Sequence, residues 1–209
     1  MRMAPECGAE DVNGCAILIL AAGASSRMRG GDKLLEEVAG RPLLRIMLER
    51  AVAVAGGPVL CTLPALDHPR AACLDGLAAH PVCVPDSTTG MSASIRAGVA
   101  AVPQDCGAVM ILPADMPEVT AEDIALMLSE HVAHPDAILR AEDSEGMAGH
   151  PVIFPADLFC ALLAVDGDRG AQAVLRTHGH RIRRIPLPDR HATTDLDTPE
   201  DWAEWRAGR

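Results

Sequence analysis

The chain has 209 residues, a length that suits one α/β domain able to bury a sizeable core. Hydrophobic residues make up 49% of it, but only two are Phe, two are Trp and none is Tyr, so the core is aliphatic and offers no aromatic platform for single-stranded nucleic acid. A formal net charge of −11 excludes the broad basic surface that a long polyanion needs, and no nucleic-acid partner is expected.

Residues 1–13 read as a flexible N-terminal tail and residues 14–209 as a single domain. The stretch from Cys15 to Ala24 has the length of a signal-peptide apolar region, and Ala22-Gly23-Ala24 looks like a cleavage site. Glu6, Glu10 and Asp11 stand where a positive leader segment would be, and the stretch is too short to cross a membrane as a helix. No membrane partner is expected. The seven cysteines are odd in number and form no C-x-x-C pair. They point to buried thiols in a reducing cytoplasm, not to a zinc site or a disulfide framework.

The first predicted strand is Ala16–Leu20. It stops at Ala21-Ala22-Gly23-Ala24-Ser25-Ser26-Arg27-Met28, with Lys33 soon after. Small residues let a backbone approach a ligand closely and aim several N–H groups at it. Cations just beyond meet phosphate oxygens. The segment therefore reads as a phosphate-binding loop, with a charged strand-to-helix turn as the alternative. Asp32 before Lys33 and the missing second glycine separate it from the two commonest glycine-rich loops. Arg27, Arg29, Lys33, Arg41 and Arg45 form a local cationic cluster, enough for a small anion.

Pro42 opens a helix that runs to about Ala55, and a strand follows at Pro58–Leu63. After a third strand at Val82–Val84, the segment from Asp86 through Gly90 to Ser94 carries hydroxyls and exposed N–H groups that suit a base, ribose or phosphate. The same serines suit an ordinary helix cap, and Ile95, Val99 and Val102 give a helix from near Ser92. A strand at Ala108–Leu112 leads into Pro113-Ala114-Asp115-Met116-Pro117. Asp115, on a backbone stiffened by two prolines, is either a turn aspartate or a hard oxygen ligand for Mg²⁺ shared with substrate phosphates.

Thr120 and Asp123 form a capping-box pattern before a helix carrying Ile124, Met127, Leu128 and His131, the last read as a partly buried structural histidine. Strands follow at Ala137–Arg140, Pro151–Phe154 and Ile182–Pro186. His150, beside Gly149, is either a substrate contact or a structural residue before proline. The basic stretch Arg176 to Arg184 either receives an anionic ligand or partner protein, or protects a strand edge. Asp195 and Asp197 precede a second capping box at Thr198 and Asp201. A helix start favours carboxylates, and a second metal ligand at Asp197 is the alternative. The last helix carries Trp202 and Trp205 as packing anchors. Continuous apolar strands alternating with helices predict a mostly parallel sheet covered on both faces, with ligands beyond the carboxyl ends of the strands.

Eight segments in order then resemble the MobA-like nucleotidyltransferases, especially the branch containing molybdenum cofactor cytidylyltransferase. They are Leu20-Ala21-Ala22-Gly23-x-Ser25-Ser26-Arg27-Met28, Lys33-Leu34-Leu35, Gly40-x-Pro42-Leu43-Leu44, Gly90-Met91-Ser92-x-Ser94, Asp115-Met116-Pro117, Gly149-His150-Pro151, Gly167-Asp168-x-Gly170 and Asp197-Thr198-Pro199-x-Asp201. Two departures stand out: the longer link Arg29-Gly30-Gly31-Asp32, and Ala114 where glycine usually precedes the aspartate.

The resemblance implies a Rossmann-like three-layer α/β/α fold and Mg²⁺-dependent nucleotidyl transfer. It places Leu20, Ala21, Ala22, Gly23, Ser25, Asp86, Gly90 and Ser92 at the nucleotide and Lys33 on its phosphates. Arg27, Lys33 and Asp115 become the catalytic groups, Asp115 and Asp197 the metal ligands, and Gly149 with His150 the acceptor contacts. The implied reaction joins CMP from CTP to the terminal phosphate of molybdopterin, with pyrophosphate leaving. An apo-molybdoenzyme or its chaperone is the implied protein partner. GTP, a sugar-phosphate acceptor, or a non-catalytic delivery module are the alternatives.

Overall fold

The computed structural model describes residues 14–86, 90–167 and 170–208. The expected tail at 1–13, the hydroxyls of Ser87 to Thr89, and Asp168 with Arg169 lie outside the described residues.

Strand β1 (Cys15–Leu20) leads to a short hairpin of β2 (Glu37–Val38) and β3 (Arg41–Pro42), then helix α1 (Leu43–Val54). Next come β4 (Val59–Leu63), β5 (Ala79–Cys83), α2 (Met91–Ala100), β6 (Ala108–Pro113) and α3 (Ala121–Ala133). Strands β7 (Ile138–Glu142) and β8 (Ala148–Pro155) precede two short helices, α4 (Phe159–Leu163) and α5 (Gln172–Thr177). Strand β9 (Ile182–Pro186) and helix α6 (Pro199–Ala207) close the described chain.

Seven strands form one sheet in the order β5-β4-β1-β6-β8-β7-β9. All pairings are parallel except those of β8, which runs against both β6 and β7. The predicted mostly parallel sheet is found, and β8 is reversed because a tight turn at 143–147 joins it to β7. That turn is closed by Asp143 N–H donating to Met147 O at 2.9 Å.

Both faces are covered. In β1, Ile17 and Ile19 pack with Leu44, Met47, Leu48 and Met127 of α1 and α3, and with Trp202 of α6. Ala16 and Leu18, on the other face, pack with Ile95 and Val99 of α2 and Leu162 of α4. The period-two alternation of an unbroken apolar run thus feeds two cores at once. Among the described residues no helix is long and apolar enough to cross a membrane.

Local chemistry explains the boundaries. Both capping boxes form: Thr120 Oγ1 accepts from Asp123 N–H at 3.1 Å, and Thr198 Oγ1 from Asp201 N–H at 3.1 Å. Pro42 sits one residue earlier than expected, at the cap of α1. The first N–H groups of α1 go instead to the backbone before it, Leu43 to Glu36 O at 2.9 Å and Leu44 to Leu34 O at 3.0 Å. Strand β5 begins three residues before the predicted Val82. It is an edge strand with an exposed face, and Pro81 is tolerated there because an edge needs fewer ladder bonds.

His131 is 9% exposed, and burial holds its pKa below the ordinary 6.5. The unfolded chain therefore takes up this proton first as pH falls, so the folded state loses stability below pH 6.5. The slope reaches about 1.4 kcal/mol per pH unit for one such group. We expect urea melts between pH 7 and pH 5 to show this loss, and His131→Gln to make the curve shallower. An unchanged curve would remove the assignment.

Candidate active site

The carboxyl ends of β1, β4 and β6 lie along one edge of the sheet. Because β8 is antiparallel, its beginning lies there too, with Ile111 of β6 opposite Val152. Reversal of one strand therefore brings Gly149 and His150 beside Asp115.

The loop after β1 is built from its backbone outward. Ala21 N–H donates to the buried Thr62 Oγ1 of β4 at 2.9 Å. Ser25 and Arg29 both have positive φ, 49° and 52°, on either side of one 3₁₀ turn at Ser26–Met28. Met28 is buried and anchors that turn. Ala114, the alanine in place of glycine, extends the β1–β6 pairing by donating its N–H to Leu20 O at 3.1 Å. Its φ is not positive, so the turn asks nothing of glycine there.

The side chains that converge at the loop mouth are Lys33, Arg27, Asp115, Asp195 and Asp197. Lys33 Nζ donates to Asp115 Oδ2, and to Asp197 Oδ1 at 2.7 Å. Arg27 meets Asp197 Oδ2 at 2.7 Å. The lysine and its two partners are 15%, 15% and 17% exposed, so these ions are shielded from full solvent screening. Burial by itself pulls the Lys33 ammonium down, but Asp115 and then Asp197 overcome it and hold its pKa above the ordinary value. Partial burial and the facing charges of Asp115 and Asp197 push Asp195, on the rim, above the usual carboxylate range.

Two backbone devices fix the carboxylates. Leu196 N–H donates to Asp115 O at 3.1 Å, tying the segment before α6 to the end of β6. Asp201 Oδ2 then accepts from the N–H groups of Asp197 at 3.1 Å and Thr198 at 2.8 Å. The capping box of α6 thus positions Asp197.

Two adjoining clefts open at this cluster. One, about 370 Å³, runs along Leu20, Ala22, Gly23, Gly90, Met91 and Ser94. The second, about 450 Å³, passes Gly149, His150, Thr193, Asp195 and Asp197. Arg27, Lys33 and Asp115 line both.

Of the residues singled out from sequence, the structure brings together Leu20, Ala22, Gly23, Gly90, Arg27, Lys33 and Asp115 on the first cleft, and Gly149, His150 and Asp197 on the second. Others face elsewhere. Ala21 is buried, and the Ser25 hydroxyl donates to Asp32 Oδ1 at 3.3 Å behind the loop. Ser92 and Ser94 are both buried at the foot of α2, and of the two only Ser94 lines the cleft. Asp86 is exposed in the turn after β5, outside these lining residues. Thr62 and Arg70 carry no local signal in the sequence, because their partners lie 38 to 49 residues away in the chain.

Gly149 has a packing reason: a Cβ there would lie 1.7 Å from Ala192 O. His150 N–H donates to the same oxygen at 2.9 Å. His150 is half-buried, and desolvation followed by the Arg140 charge keeps its pKa below the ordinary 6.5. Its Nδ1 has no hydrogen-bond partner among the described residues.

Three arginines of the basic stretch at 176–184 are paired within the chain. Arg181 meets Asp157 at 2.6 Å, Arg184 meets Glu142 at 3.3 Å, and Arg183 approaches Glu130 at 3.8 Å. Arg183 and Arg184 lie on β9, an edge strand, and the edge-protection alternative accounts for them.

The donor set fits a hard divalent cation. Asp115 Oδ1 is buried with no partner among the described residues, and Asp197 and Asp195 stand beside it. No group of three or more ligands among the described residues encloses a metal. An open carboxylate pair suits an ion such as Mg²⁺, which keeps waters and takes substrate phosphates as ligands.

Against known proteins, the MobA-like NTP transferase domain profile matches residues 17–182. Molybdenum cofactor guanylyltransferase of Rhodopseudomonas palustris is 30% identical over 197 residues, 90% of each chain. The bifunctional protein GlmU of Mycobacterium bovis is 31% identical over 157 residues, covering 64% of this chain, which spans 32% of that longer protein. In structure, Rv0371c of Mycobacterium tuberculosis superposes with a TM-score of 0.80 at 24% identity, over 93% of this chain and 98% of that one. The same protein in complex with manganese gives 0.75 at 20% identity, over 92% and 97%.

Gly149→Ala must displace a backbone oxygen, because no side chain can move to make room. We expect a stability loss of about 1–3 kcal/mol in thermal melts. If the variant melts like the parent, the close approach is not required.

Proposed function

We propose, since the chain belongs to the MobA-like NTP transferase family, that it is a nucleotidyltransferase that transfers CMP from CTP to the terminal phosphate of molybdopterin and releases pyrophosphate. The observation that carries this reading is the Lys33 ammonium held between Asp115 and Asp197 where two clefts meet. One cleft takes the nucleotide along Leu20, Ala22, Gly23 and Gly90. The other takes the acceptor beside Gly149 and His150.

The residues match the electronic demands of the reaction. An acceptor phosphate oxygen forms a bond to the α-phosphorus, and the bond from that phosphorus to the bridging oxygen of pyrophosphate breaks. A phosphate monoester is mostly dianionic at neutral pH, its second pKa being about 6, so no general base is needed. Lys33 and Arg27 oppose the charge on the phosphates, and alignment supplies the rest. Mg²⁺ held by Asp115 and Asp197 supplies further charge neutralisation when bound. His150 is half-buried and its pKa is held below the ordinary value, which suits it to shape the acceptor cleft and to offer a ring nitrogen, not a charge.

CTP is favoured by the likeness of Gly90-Met91-Ser92 to the cytidylyl branch. A second reading, transfer of GMP from GTP, is favoured by the guanylyltransferase relative that shares 90% of its length with this chain. An apo-molybdoenzyme or its chaperone would receive the product. The direct test is a pyrophosphate-release screen of four nucleoside triphosphates against molybdopterin, its metal-loaded form and common sugar phosphates.

We expect CTP with Mg²⁺ to raise the melting temperature more than GTP does. A ligand at a hundredfold its dissociation constant adds roughly 2.7 kcal/mol. A larger shift with GTP assigns the base to guanine.

Asp115→Asn keeps shape but removes charge. It should fold, and lose transfer by roughly three orders of magnitude in single-turnover assays across a Mg²⁺ titration. Asp197→Asn should lose less, since its place before α6 already favours a carboxylate. The reverse order of losses puts the metal chiefly on Asp197.

A further inference from the structure

Arg70 sits in a 3₁₀ helix, Pro69–Leu74, between β4 and β5, and is 2% exposed. An arginine so buried needs a full set of acceptors. Its Nε and Nη2 donate to the two oxygens of Asp32 at 2.8 and 2.7 Å. Nη2 also donates to Ser25 Oγ at 2.9 Å. Nη1 donates to Ala21 O at 2.6 Å and to Gly23 O at 2.7 Å. All five N–H donors are used, and every acceptor lies between Ala21 and Asp32.

The consequence is geometric. A trans peptide points its N–H opposite to its C=O. Turning the carbonyls of Ala21 and Gly23 toward Arg70 turns the N–H groups of Ala22 and Ala24 away from it. Ala22, Gly23 and Ala24 all line the first cleft. No hydrogen bond among the described residues takes up their N–H groups. At the other end of the loop, Asp32 is gripped by both of its oxygens, and Lys33 is the next residue. The charge of Arg70 is spent on Asp32, so it adds little to the field at the cleft.

We propose that Arg70 is the positioning residue of this loop: it folds the small-residue backbone into an anion-binding cradle and sets the base of Lys33, without touching substrate. This rests on the reading of the first cleft as the nucleotide site. Lysine in its place keeps one charge but cannot reach a carboxylate, a hydroxyl and two carbonyls together.

The test is Arg70→Lys, followed by amide exchange and by steady-state kinetics. Exchange at Ala21, Met28 and Leu34, whose N–H groups are bonded within or onto the loop, should quicken while β6 stays at its parent rate. In pyrophosphate release, KM for nucleotide should rise and kcat/KM fall about 100-fold, the scale of a 1 Å misplacement. A merely smaller folded fraction lowers kcat and leaves KM alone. The double variant Arg70→Met with Asp32→Asn removes the pair without stranding a buried charge, and should give the same loop-confined exchange. Parent-like exchange and KM in either folded variant overturn the proposal. Uniform loosening of the whole sheet, or collapse of both variants, assigns Arg70 to the general fold and overturns it equally. Exchange is read without substrate, so a parent protein that turns over no nucleotide removes the anion-binding role of the loop, while loop-confined exchange still assigns its positioning to Arg70.

Discussion

The site depends on one ammonium group and the carboxylates that hold it. Lys33 is 82 residues from Asp115 and 164 from Asp197, yet it donates to both. With Arg27 and Asp195 included, the cluster has one more carboxylate than it has cations. The excess is felt by Asp195, whose pKa is raised by partial burial and by Asp115 and Asp197. A partly buried cluster of this sign is ready for an additional cation. In the proposed reaction a triphosphate and its metal exchange partners with groups already in place, so little reorganisation accompanies binding.

That convergence has a topological cause. In a wholly parallel sheet the neighbour of β6 would bring its carboxyl end to the site, and its residues would follow a strand. Here β8 is reversed, so Ala148 to His150 enter the site as the strand begins. The same stretch receives the loop before α6, through the bond from His150 N–H to Ala192 O, and Gly149 permits the contact. The second cleft is therefore built from the β6–β8 pairing and the contact of His150 with Ala192, whereas the first joins the loop after β1 to the start of α2 and the end of β6.

This difference sets what was legible in the sequence. The central strands β1, β4 and β6 were plain, because burial on both faces leaves long apolar runs. The capping boxes were plain because they are written within four residues. Lys33 and Asp115 stood out because each follows a buried strand. The hairpin of β2 and β3 and the short helices α4 and α5 leave no mark in the sequence, since two to six residues carry no usable period. The start of β5 is hidden in the sequence because an edge position releases it from apolar alternation. Ser92 and Ser94 are both buried at the start of α2 and only Ser94 lines the first cleft, because a helix start fixes the backbone but not which serine meets the cleft. Arg70 left no signal: a lone arginine before two alanines looks like a surface residue, and only the fold shows its five acceptors.

The support under the loop also explains how a longer link to Lys33 is accommodated. Residues 29–32 could let the lysine drift if they hung from the turn alone. Arg29 takes a left-handed conformation, Gly30 has φ of +99°, and Gly31 N–H returns to Met28 O at 3.0 Å. The extra length is thus folded back over Met28, which is buried. Asp32, at its end, is clamped by Arg70 and accepts from Leu34 N–H at 3.0 Å. Leu34 in turn is buried and offers its carbonyl to Leu44 of α1. Lys33 therefore hangs between two fixed points, one on the loop side and one on the helix side. The longer link changes the path of the chain but leaves the position of the ammonium to Asp32, Leu34 and the carboxylates that receive it.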